Sequence, residues 1–135
     1  MFRIAYISAT SLLGVILPFL AVFSSKVKAF VHQRNKGNQP IPGEVKFWIH
    51  CASLGEYEMA LPMIEQLLTE VKTEEILITF FSPSGYTQAI KGDYANRVMY
   101  LPLDIRGDVR SFYNKYKPQK AILVRYDFWY NLISE

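Results

Sequence analysis

The sequence predicts an α/β domain: a Rossmann-like parallel sheet with helices on both faces, preceded by an N-terminal membrane-associated helix. Three observations carry this. Four short β-favouring runs, residues 45–50, 76–81, 98–101 and 121–126, alternate with segments of helical periodicity, the pattern of strand–helix units. The runs are apolar almost throughout, as strands buried on both faces are. The residues 4–25 carry no charge, and a stretch of about 20 apolar residues is what a bilayer core requires.

The N-terminal arm is not purely aliphatic. Ser8, Thr10, Ser11, Gly14 and Pro18 dilute it, and Pro18 is expected to kink a helix there. Lys26, Lys28, Arg34 and Lys36 follow directly, against Arg3 alone before it. By the positive-inside tendency the body of the chain then faces the cytoplasm. A membrane anchor, spanning or lying in the interface, is the reading this charge flank favours. A cleaved signal peptide and a buried core helix are the alternatives, although the small-residue cleavage pattern around Ala21-Val22-Phe23 is poor. The stretch NKGNQPIPG, residues 35–43, has two Gly and two Pro and reads as a linker. The expected organisation is an anchor with its basic flank over 1–34, a linker over 35–44 and a Rossmann-like α/β domain over 45–135.

The net charge of +3 hides an asymmetry: residues 1–36 hold five Lys/Arg and no acid, so the rest is about two units negative. The basic excess therefore sits on the arm, which argues for a membrane surface and against nucleic acid. Cys51 is the single cysteine, so no internal disulfide forms, and no Cys/His cluster stands at metal spacing. A reduced compartment follows.

The first strand leads through KFWIHCASLGE into a helix. Leu61, Ile64, Leu67, Leu68 and Val71 recur at helical spacing. Pro62 either kinks that helix or divides it near Leu61. A shorter helical segment covers residues 86–91. Val109, Phe112, Tyr113 and Tyr116 make an i, i+3, i+4, i+7 stripe, and residues 128–134 start a last helix. Right-handed crossovers place the strand ends on one rim, where residues 50–56, 82–85, 103–108 and 125–131 fall.

Each rim segment has a structural and a functional reading. Ser53 and Glu56 fit a capping box. From spacing alone the cap is the favoured reading, because the pattern is common; the functional one makes Glu56 a general base at the carboxyl end of a parallel strand, where open α/β sheets bind ligands. A helix N-terminus keeps that carboxylate ionised but lowers its basicity. Ser82-Pro83-Ser84-Gly85 reads as an N-cap with Pro at the first helical position, or as an anion site built from N–H groups, hydroxyls and Gly. Asp104 and Asp108 are expected N-caps for the helix behind them. Asp127 and Arg125 read as an ion pair, and His50 as a hydrogen-bonded core histidine. Trp129 and Tyr130 line a pocket or pack in the core.

In this order these blocks resemble the N-terminal domain of the 3-deoxy-D-manno-octulosonic acid (Kdo) transferases of lipopolysaccharide synthesis. The resemblance rests on His50-Cys51-Ala52-Ser53-Leu54-Gly55-Glu56, Ala60-Leu61-Pro62, Ser82-Pro83-Ser84-Gly85, Tyr100-Leu101-Pro102-Leu103-Asp104 and Phe128-Trp129-Tyr130-Asn131. It implies half of a GT-B glycosyltransferase, inverting and with no metal or other cofactor needed for chemistry. This half would bind the acceptor, a lipid A precursor, at the cytoplasmic face of the bacterial inner membrane. The donor, CMP-Kdo, would sit mainly on a C-terminal domain that the chain, ending at Glu135, is expected to lack.

The resemblance makes Glu56 the base and leaves Ser53, Gly55, Ser82, Ser84, Gly85 and Asp127 as substrate-binding candidates. The fourth loop departs from the family's E-T-E-L-W-P-N: Arg125 replaces the first Glu, Asp127 the second and Tyr130 the Pro. A role for that loop's acids passes only to Asp127. The alternative from another class is a non-catalytic, membrane-tethered α/β module that binds an anionic lipid or a partner protein. A flavodoxin-like nucleotide binder is weaker, since no G-x-G-x-x-G or Walker-type loop occurs.

Overall fold

The computed structural model of the chain describes residues 2–37 and 43–135. Two helices come first, α1 (Phe2–Phe23) and α2 (Ser25–Gly37). Then follow β1 (Phe47–Cys51), α3 (Leu54–Leu67), β2 (Ile76–Phe80), α4 (Pro83–Ala89) and β3 (Val98–Tyr100). The last elements are α5 (Arg106–Tyr116), β4 (Lys120–Val124) and α6 (Tyr130–Ser134).

The described strands form one parallel sheet in the order β3-β2-β1-β4. Central β1 pairs on both edges, with Ile49 between Ile78 and Ile122, and every residue of it is buried. From β1 the chain winds one way to β2 and β3, then crosses back to lay β4 on the other edge. That reversal is a topological switch point beyond the carboxyl ends of β1 and β4, the place where open α/β sheets bind ligands.

Alternation of side chains sorts the core into two layers. Phe47, Ile49, Cys51, Ile76, Ile78 and Phe80 meet Tyr57, Ala60 and Ile64 of α3 and Ala89 of α4 on one face. Trp48, Leu77 and Met99 meet Val109, Phe112 and Tyr116 of α5 and Leu132 of α6 on the other. The α5 stripe is thus the buried one, with Tyr113 half-buried beside it. Trp48 fixes this layer by edge contacts to Phe112 and Tyr113, with ring centroids 5.0 and 5.8 Å away.

Three expectations need amendment. Helix α3 runs unbroken through Pro62. Pro62 and Glu58 are both exposed, so the Glu58 carbonyl, which Pro62 cannot bond, is left to water. Neither Asp104 nor Asp108 caps α5, whose N-cap is Ile105; Asp108 lies inside the first turn. Asp104 instead accepts the N–H groups of Asn131 (3.2 Å) and Leu132 (2.9 Å). It caps α6, because those are the second and third helical positions, whose donors have no intrahelical partner. The last amendment concerns residues 35–37, which are the end of α2; the rest of the expected linker, 38–42, lies outside the described residues.

Helix α1 continues through Pro18 and is long and apolar enough to cross a membrane, with none of that span fully buried. It nevertheless touches the domain. Tyr6 donates to Asp104 Oδ2 at 2.7 Å. Asn131 Nδ2 donates to the Asp104 carbonyl at 2.6 Å and reaches Thr10 Oγ1 at 3.4 Å. At Gly14 a Cβ would come within 2.5 Å of Ile105 Cδ1, so the missing side chain permits the close approach.

Candidate functional site

The loop after β1 starts the site. Ser53 is in extended conformation as N-cap of α3, and Glu56 stands at the third helical position. The Glu56 carboxylate turns back over the strand end. Its Oε2 accepts the N–H of Ala52 at 2.5 Å and of Ser53 at 3.3 Å. Both bonds go to the same oxygen, so Oε1 keeps its lone pairs for another donor. Capping and proton acceptance are therefore compatible in one side chain. Directly beneath, Cys51 is buried, and burial followed by the neighbouring Glu56 charge pushes its thiol up to about 12. It stays protonated and is no nucleophile.

The loop after β2 is tied to this one. Ser82 N–H donates to the Ala52 carbonyl at 2.8 Å. Ser82 and Ser84 share a hydroxyl hydrogen bond of 2.9 Å on an exposed turn. Gly85 is buried for a packing reason: a Cβ would lie 2.4–2.7 Å from the Phe80 ring and 3.1 Å from Leu54 N. Gly55 differs, since nothing stands within 4 Å of a Cβ there. Its exposed position leaves open space beside Glu56.

The loop after β4 meets the β1–α3 unit at the same rim. Arg125 has φ +81°, a conformation that is strained for any residue bearing a Cβ. Asp127 turns away from Arg125 and toward His50 Nε2, 3.7 Å from its Oδ2. Arg125 reaches Met59 Sδ on α3 at 3.5 Å instead. The Arg125–Asp127 pairing read from the sequence is thus replaced by two contacts to the β1–α3 unit.

His50 is fully buried and forms part of a polar thread through the sheet. Trp48 Nε1–H donates to Thr79 Oγ1 at 2.8 Å, and Thr79 Oγ1 lies 2.9 Å from His50 Nδ1. An indole N–H only donates, so the Thr79 oxygen accepts from Trp48. His50 Nε2 has no full hydrogen bond and faces the Asp127 carboxylate. Burial, against the pull of Asp127, holds the His50 pKa down to about 4. The ring is neutral at pH 7.

Sequence reasoning missed Arg34. Counted with the basic flank, it is instead 6% exposed. From α2 its guanidinium donates to the carbonyl of Phe81 at 3.0 Å and to that of Leu101, the strand-end carbonyls of β2 and β3. It sits 5.0–5.2 Å from the ring centroids of Phe30, Phe81 and Tyr100. Burial lowers its pKa to about 10, so it stays charged. The one available signal was the aromatic Phe30 four residues earlier, on the same helix face.

Glu56, Ser53, Gly55, Ser82, Ser84, Gly85 and Asp127 thus lie on the loops and first helical turns that follow β1, β2 and β4, at one rim of the sheet. A hollow of about 350 Å³ between α3 and α4, lined by Glu58, Glu65, Asp93 and Tyr94 among others, contains none of them. Among the described residues no group of three or more His, Cys, Asp or Glu is placed to hold a metal ion.

Comparison with known proteins adds to this geometry. The family model described as 3-deoxy-D-manno-octulosonic-acid transferase (kdotransferase) matches residues 24–135. The chain is 30% identical over 123 residues to a bifunctional glycosyltransferase/methyltransferase of Fusobacterium nucleatum, covering 87% of the chain and 18% of that protein. It is 33% identical over 101 residues to the 3-deoxy-D-manno-octulosonic acid transferase of Haemophilus influenzae, covering 73% and 23%. With the same transferase of Aquifex aeolicus it shares 38% identity over 88 residues, covering 64% and 24%. The chain thus spans less than a quarter of the length of these relatives.

Proposed function

The chain belongs to the family of 3-deoxy-D-manno-octulosonic acid transferases, and from that premise we propose that it forms the acceptor side of an inverting Kdo transfer site. The donor would be CMP-Kdo, held mainly by a second domain across the crevice. The acceptor would be a lipid A precursor of lipopolysaccharide synthesis, met at the cytoplasmic face of the inner membrane. Residues 45–135 would be the acceptor domain, and the arm before it the membrane attachment.

Glu56 is the proposed base. An acceptor hydroxyl approaching Oε1 gives its proton to the carboxylate while its oxygen attacks the anomeric carbon of Kdo. The bond to CMP breaks, and CMP leaves with the electron pair. One displacement inverts the centre. A carboxylate at a helix N-terminus is a modest base, which suits a step where proton transfer accompanies departure of a phosphate leaving group. The open space at Gly55 admits the sugar. The hydroxyls of Ser53, Ser82 and Ser84 are available to its oxygens, Gly85 lets α4 approach closely enough to present them, and Asp127 closes the far side.

The observation that carries this reading is the division of labour within Glu56: Oε2 takes both backbone N–H groups, and Oε1 accepts neither of them at the strand-end rim. The test is Glu56→Gln in the complete enzyme of which this chain supplies the N-terminal part. Kdo transfer from CMP-Kdo to a lipid A precursor should fall about 10³-fold, within the range for loss of a general base. Transfer within a few-fold of wild type would remove Glu56 from the chemistry.

A further inference from the structure

Between α1, α2 and the strand-end rim lies a crevice of about 240 Å³, lined mainly by apolar side chains, among them Leu13, Leu17, Phe30, Phe81, Ile105 and Trp129. A second hollow, between Tyr6 of α1 and Phe128, Tyr130 and Ile133, adjoins it. Phe128 and Ile133 are 64% and 57% exposed, and Phe19, Val22 and Phe23 of α1 are 67%, 77% and 88% exposed. Exposed apolar side chains thus stand on α1 and on the α6 side of these two hollows.

The crevice has an uncommon wall. One side is α1, which is apolar enough to enter a bilayer. Yet Tyr6, Thr10 and Gly14 bind it to Asp104, Asn131 and Ile105, over about 12 Å of helix at 1.5 Å per residue. Were α1 upright in the membrane, this contact would carry the buried carboxylate of Asp104 to hydrocarbon depth, at considerable cost. Lying in the headgroup–acyl boundary, α1 keeps its outer flank in lipid and its inner flank on the domain. The crevice mouth then opens among acyl chains, flanked in sequence by Arg3, Lys26 and Lys28, which suit anionic headgroups.

We infer that this crevice is a binding site for one acyl chain of a bilayer phospholipid, which fastens the rim to the membrane surface. The inference rests on the reading of α1 as a membrane helix but not on any transfer chemistry. Trp129 supplies the probe. It lines the crevice and stacks edge-on against Phe81 at 4.9 Å between centroids; Trp48, the other tryptophan, is 1% exposed within the core.

The full chain is bound to floating vesicles of phosphatidylcholine and phosphatidylglycerol whose acyl chains carry bromine at carbons 6 and 7. The Trp129 signal, taken as wild type minus Trp129→Phe, should be quenched at least twofold. Leu17→Gln, which sets an amide in the crevice from α1 without touching the sheet, should co-float as before and lose most of that quenching. Co-flotation without quenching of the Trp129 component overturns the crevice site and leaves the membrane reading standing. Quenching undiminished in Leu17→Gln places Trp129 against bulk lipid and also overturns it. Failure to co-float overturns the site and the membrane reading together.

Discussion

The two ends of the parallel sheet are closed in contrasting ways. At the amino end, Arg97 is buried and donates to the carbonyls of Ile76 (2.7 Å) and Glu74, only 21 and 23 residues away. Glu75 accepts Lys72 N–H at 2.9 Å and pairs with Lys46 at 3.8 Å. At the carboxyl end the same parts recur. Arg34 is the buried arginine, but its carbonyls belong to residues 47 and 67 positions away. Glu56 is the capping carboxylate, but no cation pairs with it among the described ion pairs. One end is finished by its own neighbours. The other is held by a distant helix and leaves a carboxylate oxygen and a buried imidazole nitrogen without a hydrogen-bond partner, as a working surface requires.

The sharpest way to break this comparison is to treat the two glutamates alike. Glu56→Gln and Glu75→Gln each weaken a cap and should each cost about 0.5–1 kcal/mol of stability. Only Glu56→Gln should abolish transfer. Equal activity losses from both, measured in the complete enzyme beside urea midpoints, would make Glu56 a cap and nothing more.

The two arginines come next. Arg97→Met leaves two carbonyls unpaired where nothing can move aside, so about 4 kcal/mol should be lost from global unfolding. Arg34→Met orphans two carbonyls as well, but α2 can lift away and admit water, and about 2–3 kcal/mol is expected. The distinguishing readout is hydrogen exchange: α2 amides should exchange faster in Arg34→Met while those of β1 stay protected. Uniform loss of protection would mean that α2 belongs to the same cooperative unit as the sheet.

This contrast also explains what could be read from the residues. The amino-end parts and the Glu56 cap are local, and local patterns are legible: Ser53 and Glu56 three apart, the α5 stripe, the apolar runs that became strands. What escaped depends on partners far along the chain. Asp104 looked like a cap for the helix that follows it and serves one 26 residues on, because the connection after β4 brings α6 back across the rim to the loop after β3. Arg34 looked like a solvent-facing flank, because no periodicity announces a charge that will meet two distant carbonyls and three rings. The strand order itself, which brings the Glu56 and Asp127 loops together, is topology and leaves little trace in composition.

A third comparison concerns titration. At the carboxyl end, His50 has a folded pKa of about 4, below its ordinary value of 6.5 because of burial. The unfolded chain binds the proton first as pH falls, so stability is fully present above about 6.5 and drains away toward 4. Between pH 7 and 5 the loss should be about 2 kcal/mol at 1.36 kcal/mol per unit. His50→Gln keeps a partner for Thr79 and should flatten that part of the profile, read as the difference in urea midpoint between wild type and variant across pH. An unchanged slope would place the titrating group elsewhere.

The smallest effects separate two strained residues, one at each end. Lys117 (φ +40°) ends α5 at the amino end of the sheet, and Arg125 (φ +81°) opens the loop that carries Asp127. Glycine adopts either conformation without a Cβ penalty, so Lys117→Gly and Arg125→Gly should each gain up to about 1 kcal/mol. A left-handed residue after a helix is ordinary punctuation, and Lys117→Gly should leave transfer unchanged. Arg125→Gly also frees the turn closed by Phe128 N–H on the Tyr126 carbonyl at 2.8 Å and removes the contact to Met59. Asp127 is then less firmly held opposite His50, and transfer should fall several-fold even as the protein becomes more stable. Stability and activity moving in opposite directions at residue 125, and not at residue 117, would identify the carboxyl-end strain as functional. If both variants behave alike, Arg125 is punctuation too.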